Sequence, residues 1–197
     1  MNQNTITSSK QIILVTGPSR SGKSEWAEAL AIQTDKLVTY IATAQVDEND
    51  PEWLSRIEKH QQRRPNSWKT LLVPIELAAT IRGYSGSNCC LLVDSLGTWI
   101  ANLLEQEEEA WETTLQEFFE SLTQTAATVI FVAEEVGWGV VPAYPMGRLF
   151  RDRLGTLVRQ LGIVANLVYL VTGGHILNLS ALGQPLPNSL VREGDFR

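Results

Sequence analysis

The amino-acid sequence predicts a three-layer α/β fold with a mostly parallel central sheet. Short runs rich in β-branched residues alternate with longer stretches whose apolar residues recur at helical spacing. A glycine-rich segment of the form G-x-x-x-x-G-K-S lies between the first such run and the first helical stretch. Strands that are separated by helices need crossover connections, and the resulting sheets are parallel and covered on both faces.

Length and composition limit the class of protein. The 197 residues, 44% of them hydrophobic, suffice for a single catalytic domain, which we assign to residues 11–197 after a flexible tail at 1–10. No apolar run is long enough to predict a membrane span, and the polar N-terminus lacks the apolar core of a secretory signal. The net charge of −6 argues against non-specific binding to nucleic acid.

The chain contains two cysteines, Cys89 and Cys90, which are adjacent and lie in an apolar run. Adjacent cysteines rarely pair with each other. We therefore expect reduced core residues of a cytoplasmic protein rather than a redox site.

The elements follow one another as strand, helix and strand. Buried β-branched runs predict strands, helical spacing predicts helices, and Asp50 with Pro51 has the pattern of a helix N-cap and first turn. Pro65 requires that helix to end near Arg63. The predicted strands are residues 12–16, 37–42, 71–73, 89–93, 128–133 and 167–172. The predicted helices are residues 23–33, 51–63, 75–82, 98–104, 110–123 and 146–161, with a loop at 137–145 and no assignment beyond Gly174.

The glycine-rich segment predicts a phosphate-binding loop. Backbone N–H groups of such a loop form an anion-binding nest, and the following helix directs its positive end at the phosphates. Lys23 is expected to reach the β- and γ-phosphates, and the Ser24 hydroxyl to help hold Mg²⁺. The alternative is an incidental glycine turn. The predicted phosphate-binding residues are Gly17, Pro18, Ser19, Arg20, Ser21, Gly22, Lys23 and Ser24.

Four residues come directly after predicted strands, and three of them are polar. In a parallel sheet the carboxyl ends of the strands meet at one edge, so Gly17, Thr43, Asp94 and Glu134 should converge there. Asp94 ends an apolar strand, as expected for a Mg²⁺-binding acid; the alternative is an N-cap for the next helix. Glu134 and Glu135 could contact Mg²⁺, a base or a ribose, or could cap a loop.

His60 lies in a basic stretch, RIEKHQQRR, that is predicted to be helical. A neutral imidazole can attack phosphorus, and neighbouring cations would stabilise phosphate charge and lower the imidazole pKa. The alternative is a surface histidine near a helix end. His175 has no comparable surroundings and is interpreted as structural or exposed, whereas Trp111, Phe118 and Phe119 are predicted core residues.

Several motifs in order resemble one family. VTGPSRSGKS, YIATAQ, RIEKHQQRRP with Trp68, LLVDSLGTWIANLL, EEVGWGVVP and RLFRDRLG are similar to the bifunctional adenosylcobinamide kinase / adenosylcobinamide-phosphate guanylyltransferase family of cobalamin biosynthesis. The resemblance covers about residues 12–172. It implies a RecA-like P-loop fold, ATP and GTP as substrates with Mg²⁺, and a homo-oligomer, which is a trimer in family members.

The resemblance implies two reactions. A nucleoside triphosphate phosphorylates the aminopropanol hydroxyl of adenosylcobinamide; GTP then leaves GMP on a histidine, and that GMP passes to adenosylcobinamide phosphate to give adenosylcobinamide-GDP. His60 falls on the family histidine and becomes the expected nucleophile, with Lys23 the other catalytic residue. The nucleotide-binding residues expected in addition to the phosphate-binding loop are Thr43, Ala44, Gln45, Gln61, Gln62, Arg63 and Asp94.

The sequence also departs from the family pattern. Glu134 replaces an asparagine, Leu72 replaces an acid, and Val158 and Arg159 replace an Asn-Gln pair after Gly155. These changes bear on base specificity and on cobinamide binding. A P-loop kinase of another small acceptor that lacks guanylyl transfer, and a GTP-binding regulatory protein, are the alternative functions.

Overall fold

The structure, a computed structural model, describes residues 10–45 and 64–187. Within that part, one seven-stranded sheet has the order β3-β2-β4-β5-β1-β6-β7. Neighbouring strands are parallel except β7, which runs antiparallel to β6. The predicted mostly parallel sheet is therefore confirmed. The strands are β1 (Ile12–Gly17), β2 (Leu37–Ala42), β3 (Lys69–Leu72), β4 (Cys89–Asp94), β5 (Thr128–Glu134), β6 (Leu167–Thr172) and β7 (His175–Asn178).

Helices cover both faces of the sheet. On one face α1 packs its apolar side against alternate residues of the central strands, among them Ile13, Val15 and Ile130. The opposite face carries a larger core, to which α2, α3, α4 and α5 contribute. The helices of the described residues are α1 (Lys23–Gln33), α2 (Leu77–Gly83), α3 (Leu96–Asn102), α4 (Glu108–Gln124), α5 (Pro145–Val164) and α6 (Leu179–Leu182).

The predicted aromatic core residues lie in the larger core, on the face of the sheet opposite α1. Trp111 and Phe118 of α4 are buried, and Phe119 packs against them from the edge of the cluster. Phe118 contacts both Trp99 of α3 and Phe131 of β5. The aromatic residues therefore join two helices to the central strand.

Both cysteines have free thiols, as expected. Cys90 is buried in the core between α1 and the sheet, whereas Cys89 is half-buried against the larger core on the opposite face. Burial raises the pKa of the Cys90 thiol to about 11.

Some predicted boundaries were wrong. Helix α3 begins at Leu96 rather than at 98, because Ser95 caps it by accepting a hydrogen bond from the Thr98 N–H. Helix α4 begins two residues early, and Glu108 and Glu109 lie in its first turn, where the helix dipole favours acids. Further boundary differences are β3 at Lys69–Leu72 instead of 71–73, α2 at Leu77–Gly83 instead of 75–82, and α5 at Pro145–Val164 instead of 146–161.

The C-terminal region contains two elements, β7 and α6, that the sequence pattern does not predict. Gly173 and Gly174, both with positive φ, form the tight turn between β6 and β7, and α6 follows. The predicted helix from Pro51 to about Arg63 lies outside the described residues. Lys10, the last residue of the predicted tail, donates a hydrogen bond to the Leu122 carbonyl, 2.6 Å away.

Across residues 10–45 and 64–187, no helix combines the length and the apolar character that crossing a membrane requires.

Candidate nucleotide-binding site

The loop between β1 and α1 has the backbone of an anion-binding nest. Arg20 and Gly22 have positive φ values of 58° and 93°, and the Ser21 N–H donates to the Pro18 carbonyl over 3.3 Å. A Cβ atom at Gly17 would collide with the carbonyl oxygen of Val171 and lie close to the Ser21 hydroxyl. Only glycine therefore fits where the loop leaves the sheet.

Two polar side chains of the loop are available to an anion. Lys23 is buried, and its ammonium group lies 3.3 Å from the Pro18 carbonyl, so the side chain folds back along the loop. The buried Ser21 hydroxyl has no hydrogen-bond partner within the described residues. The N-cap of α1 is Gly22, which has no side chain, so the cap residue supplies no acceptor to the first N–H groups of the helix; such groups are suited to bind a phosphate.

Asp94 does not cap the helix that follows it, so the N-cap alternative is wrong. Ser95 is the cap of α3, and the Asp94 carboxylate instead accepts a hydrogen bond from the Tyr40 hydroxyl, at 3.0 Å. Burial raises the pKa of Tyr40, and the Asp94 charge raises it further. The Tyr40 hydroxyl is therefore held as a donor to Asp94.

Thr43 joins the ends of β2 and β4. Its side chain is fully buried, donates to the Ser95 carbonyl at 2.7 Å and accepts from the Ser95 N–H at 3.0 Å. The Thr43 N–H also lies 3.4 Å from the Asp94 carbonyl. Its hydroxyl is thus engaged within the protein, and Thr43 holds the edge of the site together.

Glu134 lies at the end of β5, between the strand of the phosphate-binding loop and the strand of Asp94. It pairs in register with Gly17, and its Oε2 accepts a hydrogen bond from the Gly97 N–H of α3. Burial raises the pKa of this carboxyl, although a hydrogen bond from Ser95 and the charge of Lys23 oppose the effect.

Glu135 fastens the phosphate-binding loop to β5. Its N–H donates to the Gly17 carbonyl over 2.9 Å, and its carboxylate accepts from the Thr16 hydroxyl over 3.0 Å. Both glutamates of this pair therefore hold parts of the site, and Glu134 is the one near Lys23 and Asp94.

The structure brings together much of the predicted edge. Gly17 and Glu134 are register partners, and Thr43 lies beside Asp94. Ala44 is half-buried and Gln45 is exposed just beyond Thr43. The remaining predicted residues of this set, His60, Gln61, Gln62 and Arg63, lie outside the described residues.

Residues at which the chain departs from the family pattern lie in different surroundings. Leu72, on the edge strand β3, is 63% exposed. Val158 packs against the larger core, and Arg159 is half-buried on the same helix. His175 is exposed on β7, as expected.

Sequence reasoning missed the role of Tyr40. A tyrosine in a buried strand needs a partner for its hydroxyl, and that requirement was the available signal. Its partner Asp94 is on another strand, and Arg64 lies over its ring with the guanidinium carbon 3.2 Å from the ring centroid. Such long-range partners cannot be read from spacing along the chain.

The fold and the edge of the sheet define a class of protein. A nest-forming G-x-x-x-x-G-K-S loop lies between β1 and α1, and an acid ends a nearby parallel strand. One strand, β5, separates the two, as in RecA-like folds. The protein is a P-loop nucleotide-binding protein.

Comparison with known proteins gives the family. Residues 13–179 match the family described as cobinamide kinase / cobinamide phosphate guanyltransferase, so the chain belongs to that family of bifunctional enzymes. The sequence-based prediction of family and enzyme class is confirmed.

Relatives at full length support the assignment. The bifunctional adenosylcobalamin biosynthesis protein CobP of Pseudomonas aeruginosa is 37% identical over 174 residues, which cover 88% of this chain and 98% of that protein. The bifunctional adenosylcobalamin biosynthesis protein CobU of Escherichia coli is 36% identical over 177 residues, covering 83% and 96%. That of Salmonella typhimurium is 34% identical over the same length.

A solved structure supports the fold alone. An ATPase from the type III secretion system of pathogenic bacteria superposes with a TM-score of 0.54 at 12% sequence identity. The match covers 87% of this chain and 53% of that ATPase, so the chain spans about half of its length. The P-loop α/β fold predicted from the sequence is confirmed.

Proposed function

We propose that this enzyme phosphorylates adenosylcobinamide with a nucleoside triphosphate and then transfers GMP from GTP to adenosylcobinamide phosphate. The product is adenosylcobinamide-GDP. The observation that carries the proposal is family membership over residues 13–179 together with an intact phosphate-binding loop, in which the buried Ser21 hydroxyl has no hydrogen-bond partner among the described residues. ATP and GTP are both substrates in this proposal.

The phosphate-binding loop would hold the triphosphate in both reactions. Backbone N–H groups from Gly17 to Gly22 would bind phosphate oxygens, and Lys23 would neutralise charge on the β- and γ-phosphates. The buried Ser21 hydroxyl fits this use because it lacks a partner among the described residues. The charge of Lys23 would also stabilise the charge that develops on the transferred phosphoryl group.

The donor set at the edge of the sheet suits Mg²⁺. A serine hydroxyl and a carboxylate are hard oxygen ligands, and Mg²⁺ in such sites is held by one or two protein groups together with phosphate oxygens. We assign Ser24 and Asp94 to this role. Bound Mg²⁺ would neutralise charge on the triphosphate, while Tyr40 fixes the Asp94 carboxylate by its hydrogen bond.

We assign the guanylyl transfer to His60, which lies outside the described residues, on the basis of its sequence context. A ring nitrogen of His60 would attack the α-phosphorus of GTP, forming an N–P bond as the bond to the bridging oxygen breaks and pyrophosphate leaves. A phosphate oxygen of adenosylcobinamide phosphate would then attack the same phosphorus. That second step breaks the N–P bond and returns the electron pair to the imidazole.

The test is covalent labelling with GTP that carries ³²P in its α-phosphate. The wild-type protein should retain label after denaturation, and the label should be lost in acid but kept in alkali, as for a phosphoramidate. His60→Asn should abolish labelling and leave the kinase reaction intact. His175→Asn is the matched control, because His60 and His175 are the two histidines of the chain.

Three outcomes would contradict the proposal or its choice of nucleophile. A wild-type protein that turns over GTP or ATP with cobinamide but never takes up label would be a kinase without guanylyl transfer. A protein that binds GTP and transfers neither group would be a regulatory GTP-binding protein. Full labelling of His60→Asn would show that another residue is the nucleophile.

The same proposal includes a cytoplasmic location, which the two reduced cysteines predict, and the homotrimer that the family resemblance implies. Light scattering coupled to size-exclusion chromatography would measure the mass of the assembly. A mass of about three chains would support the trimer, and a monomer at working concentration would contradict it.

A further inference from the structure

A series of side-chain contacts links helix α1 to the carboxylate at the end of β4. Glu28 of α1 forms an ion pair with Arg64, with 3.6 Å between the nearest charged atoms. The guanidinium carbon of Arg64 lies 3.2 Å from the centroid of the Tyr40 ring. The Tyr40 hydroxyl then donates to Oδ2 of Asp94 over 3.0 Å.

These contacts are shielded from solvent. Tyr40 is 4% exposed, and the side chains of Arg64 and Glu28 are 7% and 11% exposed. Removing an ion pair from water costs about as much as the pairing returns, so such a pair is a weak source of stability. Its two charges fix geometry instead, because Arg64 can satisfy Glu28 and cover the Tyr40 ring in only a narrow range of positions.

Tyr40 acts on Asp94 through one oxygen. A carboxylate has two oxygens; the hydrogen bond to Oδ2 fixes the plane of the group, and Oδ1 accepts no hydrogen bond from the described residues. Without that hydrogen bond, the Asp94 carboxylate could rotate about its χ2 torsion, for which a wide range of angles is populated. Arg64 in turn fixes the ring that carries the donor.

Arg64 is also the fourth residue after His60 in the sequence. The contacts that hold Arg64 against Tyr40 therefore also fix one end of the covalent chain that carries His60. Trp68, four residues further on, packs against the same face of the sheet, and its N–H donates to the Pro65 carbonyl over 3.0 Å.

We infer that Tyr40 and Arg64 are positioning residues of the nucleotide site: Tyr40 orients the Asp94 carboxylate, and Arg64 holds Tyr40 while it anchors the chain that carries His60. Neither residue needs to touch the reacting atoms for this. The inference rests on the proposed function for the part that concerns His60. The part that concerns Asp94 depends only on nucleotide binding with Mg²⁺.

The test uses full-length variants that separate the two contacts. Tyr40→Phe keeps the ring under Arg64 and removes the hydroxyl, whereas Arg64→Lys keeps the charge and loses the planar group, and Arg64→Ala loses both. Arg82→Ala is the matched control, because Arg82 is exposed and bonds to the Glu117 carbonyl away from this site. Measured quantities are the Mg²⁺ dependence of equilibrium binding of a fluorescent GTP analogue, the rate of labelling from α-³²P GTP, the kinase rate and the melting temperature.

Tyr40→Phe should raise the Mg²⁺ midpoint for GTP-analogue binding by about tenfold, which is the size expected for a hydrogen bond to a charged group. Both Arg64 variants should slow labelling by about tenfold and slow the kinase reaction much less. Arg82→Ala should match the wild type in all four measurements.

Three results would overturn the inference. The first is an unchanged Mg²⁺ midpoint in Tyr40→Phe. The second is wild-type labelling in both Arg64 variants. The third is a fall in the labelling rate and the kinase rate of the Arg64 variants by the same factor, together with a lower melting temperature. That result would mean that Arg64 only stabilises the fold. If the wild type itself never takes up label, the proposed guanylyl transfer fails, and the Mg²⁺ midpoints still decide the role of Tyr40.

Discussion

The carboxylate of Glu134 accepts a hydrogen bond from the backbone N–H of Gly97, and this contact joins the end of β5 to the first turn of α3. The N–H groups in the first turn of a helix have no partner within the helix. Glu134 therefore supplies a cap from a distant strand, close to Lys23 and Asp94.

Glu134→Gln should raise the stability of the apo protein at pH 8. Burial raises the pKa of Glu134, so at pH 8, well above the unfolded pKa, the free energy of this carboxyl is less favourable in the folded protein than in the unfolded chain. Below the unfolded pKa both states are protonated and this cost vanishes, so the advantage of glutamine should shrink as the pH falls. Thermal unfolding of the wild type and of Glu134→Gln from pH 8 to pH 4 measures the difference in stability. Glu120→Gln is the control, because Glu120 is exposed. A constant difference across that range would contradict the prediction.

Gly97→Ala should displace Glu134 from its cap. A Cβ atom at position 97 would collide with the Glu134 carboxylate, so the side chain must move and its hydrogen bond is lost. We expect weaker binding of Mg²⁺–GTP, because the displaced carboxylate lies near Lys23 and Asp94. Isothermal titration measures this. In a Gly97→Ala/Glu134→Gln double mutant, the loss of Mg²⁺–GTP affinity should be smaller than the sum of the losses in the two single mutants.

Gly155→Ala, on helix α5, should stabilise the protein, in contrast to Gly97→Ala, where the added methyl group collides with a neighbour. Among the described residues, no atom outside the backbone of helix α5 lies within 4 Å of a Cβ atom built at position 155, so alanine displaces none of them. Alanine in a helix interior is favoured over glycine by about 0.5–1 kcal/mol. Chemical denaturation should show a gain of that size in the free energy of unfolding. A loss of stability would mean that the exposed side of α5 does not tolerate a methyl group.

Lys23→Ala should weaken both reactions. Lys23 folds back along the loop, and in the proposed function it neutralises triphosphate charge. Removal of such a group costs about 100-fold or more in rate. The kinase rate and the covalent labelling rate should fall together. Lys36→Ala is a control of equal charge change, because Lys36 bonds to Thr128 at the opposite end of β5. Loss of labelling without loss of kinase activity would contradict a shared triphosphate site.

Cys90 should resist alkylation in the folded protein. With its pKa raised by burial to about 11, about one thiol in a thousand is ionised at pH 8, and the thiolate is the reactive form. Since that pKa lies above the ordinary 9.0, the folded state retains the proton longer, and stability should fall as the pH rises from 9 to 11. Iodoacetamide followed by peptide mass spectrometry should find Cys90 modified only after urea unfolding. Rapid modification of the native protein would contradict this.

The sequence alone determined the sheet class, the phosphate-binding loop and the family. These features depend on local signals: β-branched runs, helical periodicity, and glycines at fixed positions beside Lys23. It also placed Gly17, Asp94 and Glu134 at one edge, since strand ends of a parallel sheet must meet there.

Only the tertiary structure decided how the side chains at that edge are connected. Whether Asp94 caps a helix or binds Tyr40 depends on which strand lies beside β4, and whether Glu134 reaches Gly97 depends on how α3 packs. Arg64 and Tyr40 are far apart along the chain, and their contact arises from packing. Periodicity reports which face of an element is apolar, whereas hydrogen bonds and ion pairs between elements are set when those elements pack together.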